Sequence, residues 1–237
     1  MNYTNHLKKF DPDRFLLSFF VNDNQKHSFL LTVDVFNLEI ASIRDVIDTP
    51  HMGFIRLQWW KDEIKKIYAG EKYAPHPVLQ GLAEGLLSYN IPPDDIYQLI
   101  TAREADFEEY DDFDIAAYAR NIHVPLLKIK AKILGEVQST DALAEGYALI
   151  GLLRAIPFYR ARSQVVMPSI QPDAVKGICE MAEALLNANR ATDRYFKAHE
   201  VLARLYLKQI KAAGYQPEKL TPLPFKELRV WFGVRFL

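Results

Sequence analysis

A single cysteine, Cys179, stands in 237 residues, and that near-absence excludes a disulfide framework and a cysteine-rich zinc site together. It follows Gly177 and Ile178 in an apolar stretch, where a lone thiol reads as core filler in a reducing compartment. Net charge is nearly absent as well: 29 Lys and Arg stand against 30 Asp and Glu, for a formal charge of -1. No global field draws in nucleic acid or acidic lipid, no nucleic-acid partner is expected, and any basic patch must be local. Long hydrophobic runs are missing, since no window approaches the roughly 18 consecutive apolar residues of a membrane span. Met1 to Lys9 carries charge but no apolar signal core, so the chain reads as neither secreted nor integral to a membrane, with no cleavable organellar leader. Alternating Val- and Thr-rich runs are scarce, which argues against strands. Neither Gly-x-Ser-x-Gly, a glycine-rich phosphate loop nor a dinucleotide fingerprint occurs, and Ser42, Ser163 and Ser169 have no adjacent base.

What the chain does have is ordinary globular composition, 49% hydrophobic and 25% charged, and helical periodicity. Phe29, Val33, Phe36, Ile40, Ile43 and Ile47 recur at steps of four and three, which predicts one long core helix over Asp23 to Ile47. A second helix follows Pro50 over Met52 to Ala69 and stops at Gly70. Further helices are expected at Pro77 to Ser88, Pro93 to Tyr110, Ile115 to Leu134, Thr140 to about Arg160, Pro172 to Ala188 and Ala191 to Ala213. The fold class is therefore all-α: one helical domain over residues 1–214, then a linker and an apolar, basic tail over 215–237. Within that tail Phe225, Leu228, Val230, Trp231, Phe232, Val234 and Phe236 lie among Lys226, Arg229 and Arg235. Such a segment either touches a membrane surface or partner, or packs on the domain as a C-terminal helix.

Two stretches carry a resemblance. Leu149 to Pro168 resembles the second aspartate-rich region of the squalene and phytoene synthases: Leu149, Leu153, Arg154, Arg162, Val165 and Pro168 match without a gap, while the two family aspartates fall on Ala155 and Tyr159. Phe36 to Asp45 resembles the first such region, with Ala41 and Ser42 where the family has its aspartate pair, and Asp45 surviving beside Arg44. Between them, Phe36-Asn37, Glu39-Ile40-Ala41, Arg44, Arg56 to Trp60 and Gly151 to Pro157 are similar to a non-enzymatic branch of this superfamily. That branch contains the mitochondrial respiratory complex I assembly factors and their bacterial relatives.

The resemblance implies a single isoprenoid-synthase-like helical bundle. In the family, aspartates at i and i+4 share one helix face and hold magnesium ions against a diphosphate leaving group. Alanine and tyrosine cannot replace them, so no cofactor is expected and the magnesium site reads as lost. The implied function is a catalytically silent assembly factor for NADH:ubiquinone oxidoreductase, whose partner is a complex I subunit or assembly intermediate. It would sit in the cytoplasm, peripheral to the inner membrane of a bacterium, or on the matrix side of a mitochondrion. The alternative is an isoprenoid diphosphate binder or divergent prenyl transferase with a remnant pocket of Glu39, Asp45, Arg56, Trp59 and Arg154. For the two arginines the competing reading is a buried ion pair with Glu39 or Asp45. Trp59 and Trp60, about 100° apart on a helix, are expected to lie one near the surface and one in the core. The acid-dense run from Glu104 through Asp106 to Asp112 reads as a solvated helix end or docking surface rather than a relocated metal site.

Overall fold

Most helices begin where a side chain receives free N–H groups, as at Asn2, Asp11, Asp23 and Asp193, or at a proline that has none to offer, as at Pro50, Pro77, Pro93 and Pro172. A computed structural model describes residues 2–47, 49–108, 114–161 and 171–236, all helical or irregular, with no strand among them. The α-helices are α1 Tyr3–Phe10, α2 Pro12–Ser18, α3 Asn24–Ala41, α4 Ile43–Val46, α5 Pro50–Ala69, α6 Pro77–Gly85, α7 Pro93–Thr101, α8 Ile115–Leu134, α9 Asp141–Ala161, α10 Pro172–Ala188, α11 Arg194–Ala212 and α12 Lys226–Phe236. Asp23 caps α3 by accepting the N–H groups of Gln25 and Lys26 at 2.9 Å, and Gly70, Gly135 and Gly214 turn left-handed after α5, α8 and α11.

Two expected helices are interrupted in the structure, and those expected at Pro77 to Ser88 and Ala191 to Ala213 are shorter, at Pro77–Gly85 and Arg194–Ala212. The one predicted from Asp23 to Ile47 breaks at Ser42, whose N–H and Oγ both donate to the Leu38 carbonyl, at 2.9 and 2.7 Å. The one predicted from Pro93 gives way after Thr101 to a 3-10 turn over Ala102–Phe107, and Tyr110 lies outside the described residues.

Packing divides the chain into two compact units, Met1–Glu109 with Pro125–Gly135, and Tyr110–Val124 with Glu136–Leu237. From sequence alone, 1–214 is expected as one helical domain and 215–237 as a linker and tail. In the first unit α3 packs on α1, α2 and α6, while α5 packs on α6, α7 and the 3-10 turn. Its core holds Val33, Phe36 and Ile40 with Leu57, Trp60 and Ile64, Leu82, and Ile96 and Ile100. Close approach needs Gly85, where a Cβ would come within 2.1 Å of the Phe29 ring. Ionised side chains thread this core. Lys130 donates to buried Asp34, Arg14 Nε lies 3.6 Å from the same carboxylate, and Arg14 Nη1 lies 3.2 Å from Asp11. The Asn37 amide sits between two guanidinium groups: turned one way its oxygen accepts from Arg103 at 3.3 Å, turned the other from Arg14 at 2.6 Å.

The second unit is built on α9, α10 and α11, each packed on the other two. Cys179 is buried here, and burial pushes its thiol up to about 11, as expected for a core filler. The C-terminal segment packs rather than trails: α12 buries Val230 and Val234 and lies against α11.

Candidate functional site

The break at Ser42 makes the site. Because the chain leaves the α3 direction there, runs through the single turn of α4 and re-enters a helix at Pro50, the end of α3, α4 and the first turns of α5 enclose a groove of about 480 Å³. Its lining is mostly apolar, with Ile43, Val46, Ile47, Met52, Ile55, Trp59 and Trp60 around Glu39, Ser42 and Arg56. Met52, Ile55, Arg56 and Trp59 stand at i, i+3, i+4 and i+7, so helix geometry places all four on one face of α5. Trp60 forms the floor: it is buried, edge-on to Phe36 at 5.3 Å and to His76 at 5.2 Å. Trp59 is half-buried beside it, the split expected from their spacing. At the rim, Val46 is 74% exposed, with Met52 and Ile55 each about half exposed.

The five residues singled out in the sequence meet only in part. Glu39, Arg56 and Trp59 line the groove together, and Asp45 is exposed on α4. Arg154 belongs to the second unit, where its guanidinium lies 3.3 Å from the centre of the Tyr206 ring. A buried ion pair is not what Arg56 makes: it is exposed, because it shares the open face of α5, and it lies over Trp59 at 5.1 Å.

Among the described residues of the acid-dense run, Glu104 and Asp106 are engaged in ion pairs. Asp106 is buried, 3.3 Å from Arg44 and 3.7 Å from Arg103, and Glu104 accepts from Lys61 at 2.6 Å. Residues 109–112 of that run, and 162–168 of the second stretch, lie outside the described residues. Where the first stretch should offer a carboxylate pair it offers half-buried Ala41 and Ser42, and α9 offers Ala155 and Tyr159. Among the described residues no three His, Cys, Asp or Glu come together as a metal-ion cluster. The residues present at these positions do not fit the family's magnesium ions.

The groove lining was missed by sequence reading, apart from Glu39, Arg56 and Trp59. The available signal was the run of large apolar residues, Ile43, Val46, Ile47 and Met52, on both sides of the Pro50 turn, which a helix-by-helix reading assigns to separate cores.

A helical first unit with a groove at the first aspartate-rich stretch, and in the second unit an α9 that keeps Leu149, Leu153 and Arg154 in frame, define the class. The chain belongs to the squalene/phytoene synthase family, whose profile matches residues 7–170. Two solved structures share the fold: squalene synthase HpnC from Alicyclobacillus acidocaldarius, at TM-score 0.75 and 19% identity over 90% of this chain and 94% of that one, and a dehydrosqualene synthase in complex with ligand, at TM-score 0.77 and 14% identity over 99% and 94%. The fold is therefore the all-α isoprenoid-synthase bundle. Curated relatives carry another name. The NADH dehydrogenase (ubiquinone) complex I assembly factor 6 of Homo sapiens is 25% identical over 171 residues, 68% of this chain and 50% of that protein. Its Bos taurus counterpart is 26% identical over the same length and coverage, and a Dictyostelium discoideum homolog is 22% identical over 171 residues, 68% of this chain and 48% of that one. The chain thus spans about half the length of these relatives. No helix among the described residues is long and apolar enough to cross a membrane.

Proposed function

We propose that this protein is a catalytically silent squalene/phytoene synthase fold that serves as an assembly factor for respiratory NADH:ubiquinone oxidoreductase, complex I. The observation that carries this reading is the joint exchange of carboxylates at both aspartate-rich stretches, with an apolar groove standing at the first. Ionising a prenyl diphosphate develops charge that hard cations held by carboxylates must absorb, and without them several kcal/mol of stabilisation is missing. Neither magnesium nor another cofactor takes part in the proposed role. The names of the relatives support complex I as the setting. In it, Val46, Met52 and Ile55 receive apolar side chains of a complex I subunit or assembly intermediate, on the cytoplasmic face of a bacterial inner membrane or the matrix face of a mitochondrial one.

The test is deletion of the gene in its own host, with assembled complex I followed on native gels and by NADH:ubiquinone activity. Loss of the complex, restored by the intact gene but not by Val46→Asp/Ile55→Asp, is expected. Full complex I in the deletion strain overturns the reading.

A second reading, an isoprenoid diphosphate binder, draws on Arg56 beside an apolar groove whose volume falls within the roughly 300–1,000 Å³ of small-molecule pockets. Titration with farnesyl and geranylgeranyl diphosphate separates the two. Metal-independent binding without product supports the second reading, whereas magnesium-dependent turnover sinks catalytic silence.

A further inference from the structure

Helix α12 presents two opposed faces. At 100° per residue, Val230 and Val234 share the face buried against α11, with half-buried Lys226 and Gly233 alongside. Gly233 lets the helix sit close, since a Cβ there would lie 2.6 Å from Val201. On the other side Leu228, Trp231, Phe232 and Arg235 stand at i, i+3, i+4 and i+7, and the three apolar ones are each about half exposed. Packing within the unit therefore explains one face and leaves the other uncovered.

A second observation lies one residue before the helix. Phe225 is 75% exposed and held at a φ of 52°, a left-handed backbone that a bulky side chain disfavours. Its carbonyl accepts the first helical hydrogen bond, from Arg229 at 3.0 Å, so it occupies a capping position where Ser, Asp or Asn would supply an acceptor. The chain keeps a strained, non-capping aromatic in water at the edge of the same apolar face. That is a poor choice for the unit alone and a useful one for a surface that receives the ring.

Charge decides between occupants. Lys226, Arg229 and Arg235 stand against the lone carboxylate Glu227 on this helix, with Lys226 and Arg229 half-buried and Arg235 exposed on the open face. Arg235 falls among the apolar side chains, with its guanidinium 5.8 Å from the centre of the Trp231 ring. Inside a protein interface an arginine so placed needs a matching buried carboxylate. At a bilayer its apolar stem lies along the hydrocarbon boundary while the guanidinium reaches lipid phosphate, and Trp and Phe rings favour that same depth. We infer that α12, with Phe225, is an interfacial helix that docks the second unit on an anionic lipid bilayer, lying in the plane of the surface.

The test is sedimentation of the full chain with vesicles of phosphatidylcholine alone and of phosphatidylcholine mixed with phosphatidylglycerol, together with the tryptophan emission of the bound protein. Binding to the mixed vesicles, a blue-shifted emission, and a fall of about tenfold or more in affinity for Trp231→Ser/Phe232→Ser are expected. Arg235→Gln should weaken binding to the anionic vesicles only, and added salt should do the same. Both variants alter exposed side chains, and an unchanged thermal midpoint shows that they fold. Vesicle binding that is absent, or that these variants leave unchanged, overturns the inference; so does a loss of protein co-purification in the variants with vesicle binding intact, which assigns the face to a protein partner. The inference stands apart from the assembly-factor reading, because full complex I in the deletion strain would refute that role and leave vesicle binding untouched.

Discussion

Replacing Asp34 with alanine removes the carboxylate that faces Lys130 inside the first unit, where the two side chains are 1% and 0% exposed. Arg14 Nε, 3.6 Å from Asp34, then shares the same low-dielectric space with the ammonium and without their common counter-charge. Breaking a buried pair by deleting one partner destabilises by about 3–5 kcal/mol, mostly because the remaining charge stays desolvated. For a chain of this size each kcal/mol moves the thermal midpoint by about 2–4 °C, so a loss of about 6–20 °C is expected by circular dichroism. The double variant Asp34→Leu/Lys130→Met removes both charges, and it should recover most of that loss. Burial is the main reason the Lys130 ammonium is held below its usual value of 10.5, with Asp34 opposing it. Between that lowered value and 10.5 the unfolded chain binds the proton more tightly than the folded one, so Lys130 makes stability rise with pH there. Lys130→Met should flatten that rise. A single-variant loss under about 1 kcal/mol, or a double variant as unstable as Asp34→Ala, refutes the claim that an uncompensated charge is the cause.

Gly85→Ala should destabilise by about 1–3 kcal/mol in urea titration, because the new methyl meets the Phe29 ring, which stacks on Tyr89 at 5.2 Å. Trp60→Ala should lose about 3–5 kcal/mol as a core deletion, and Trp59→Ala, on the half-buried neighbour, clearly less in the same titration. Glu63 accepts from Lys66 and from the Ala74 N–H, both at 2.6 Å, and its Lys66 contact holds its carboxyl below the usual 4.5. Its contribution is present above pH 4.5 and lost as pH falls through the lowered folded value, so Glu63→Gln should flatten the acid limb of a stability-against-pH curve.

Much of this fold is legible in the sequence, because helix periodicity and its punctuation are local properties. The steps of four and three pick out Phe29, Val33, Phe36, Ile40 and Ile43, all of them buried, and Gly70, Gly135 and Gly214 mark helix ends that the backbone confirms. The break at Ser42 is not legible this way: the apolar pattern runs on through Ile43 and Ile47, and nothing in periodicity shows Ser42 turning back on Leu38. Nor is the Asp34–Lys130 pair, whose members lie 96 positions apart. An aspartate within a core-facing helix gives no local sign of which of the chain's 29 cations it meets.

The site divides along the same line. Loss of carboxylates at positions 41, 42, 155 and 159 is visible residue by residue. What stands at the first stretch instead is tertiary. Arg44 is the residue that joins the two levels: in sequence it sits beside the surviving Asp45, while in space its guanidinium reaches Asp106, 62 residues later, on the 3-10 turn. That contact ties α4 to the turn that packs on α5, which helps fix how far α4 stands from α5 and so how wide the groove opens. The same arginine stands next to the positions where the family has its aspartate pair, and a cationic side chain there disfavours a bound cation electrostatically.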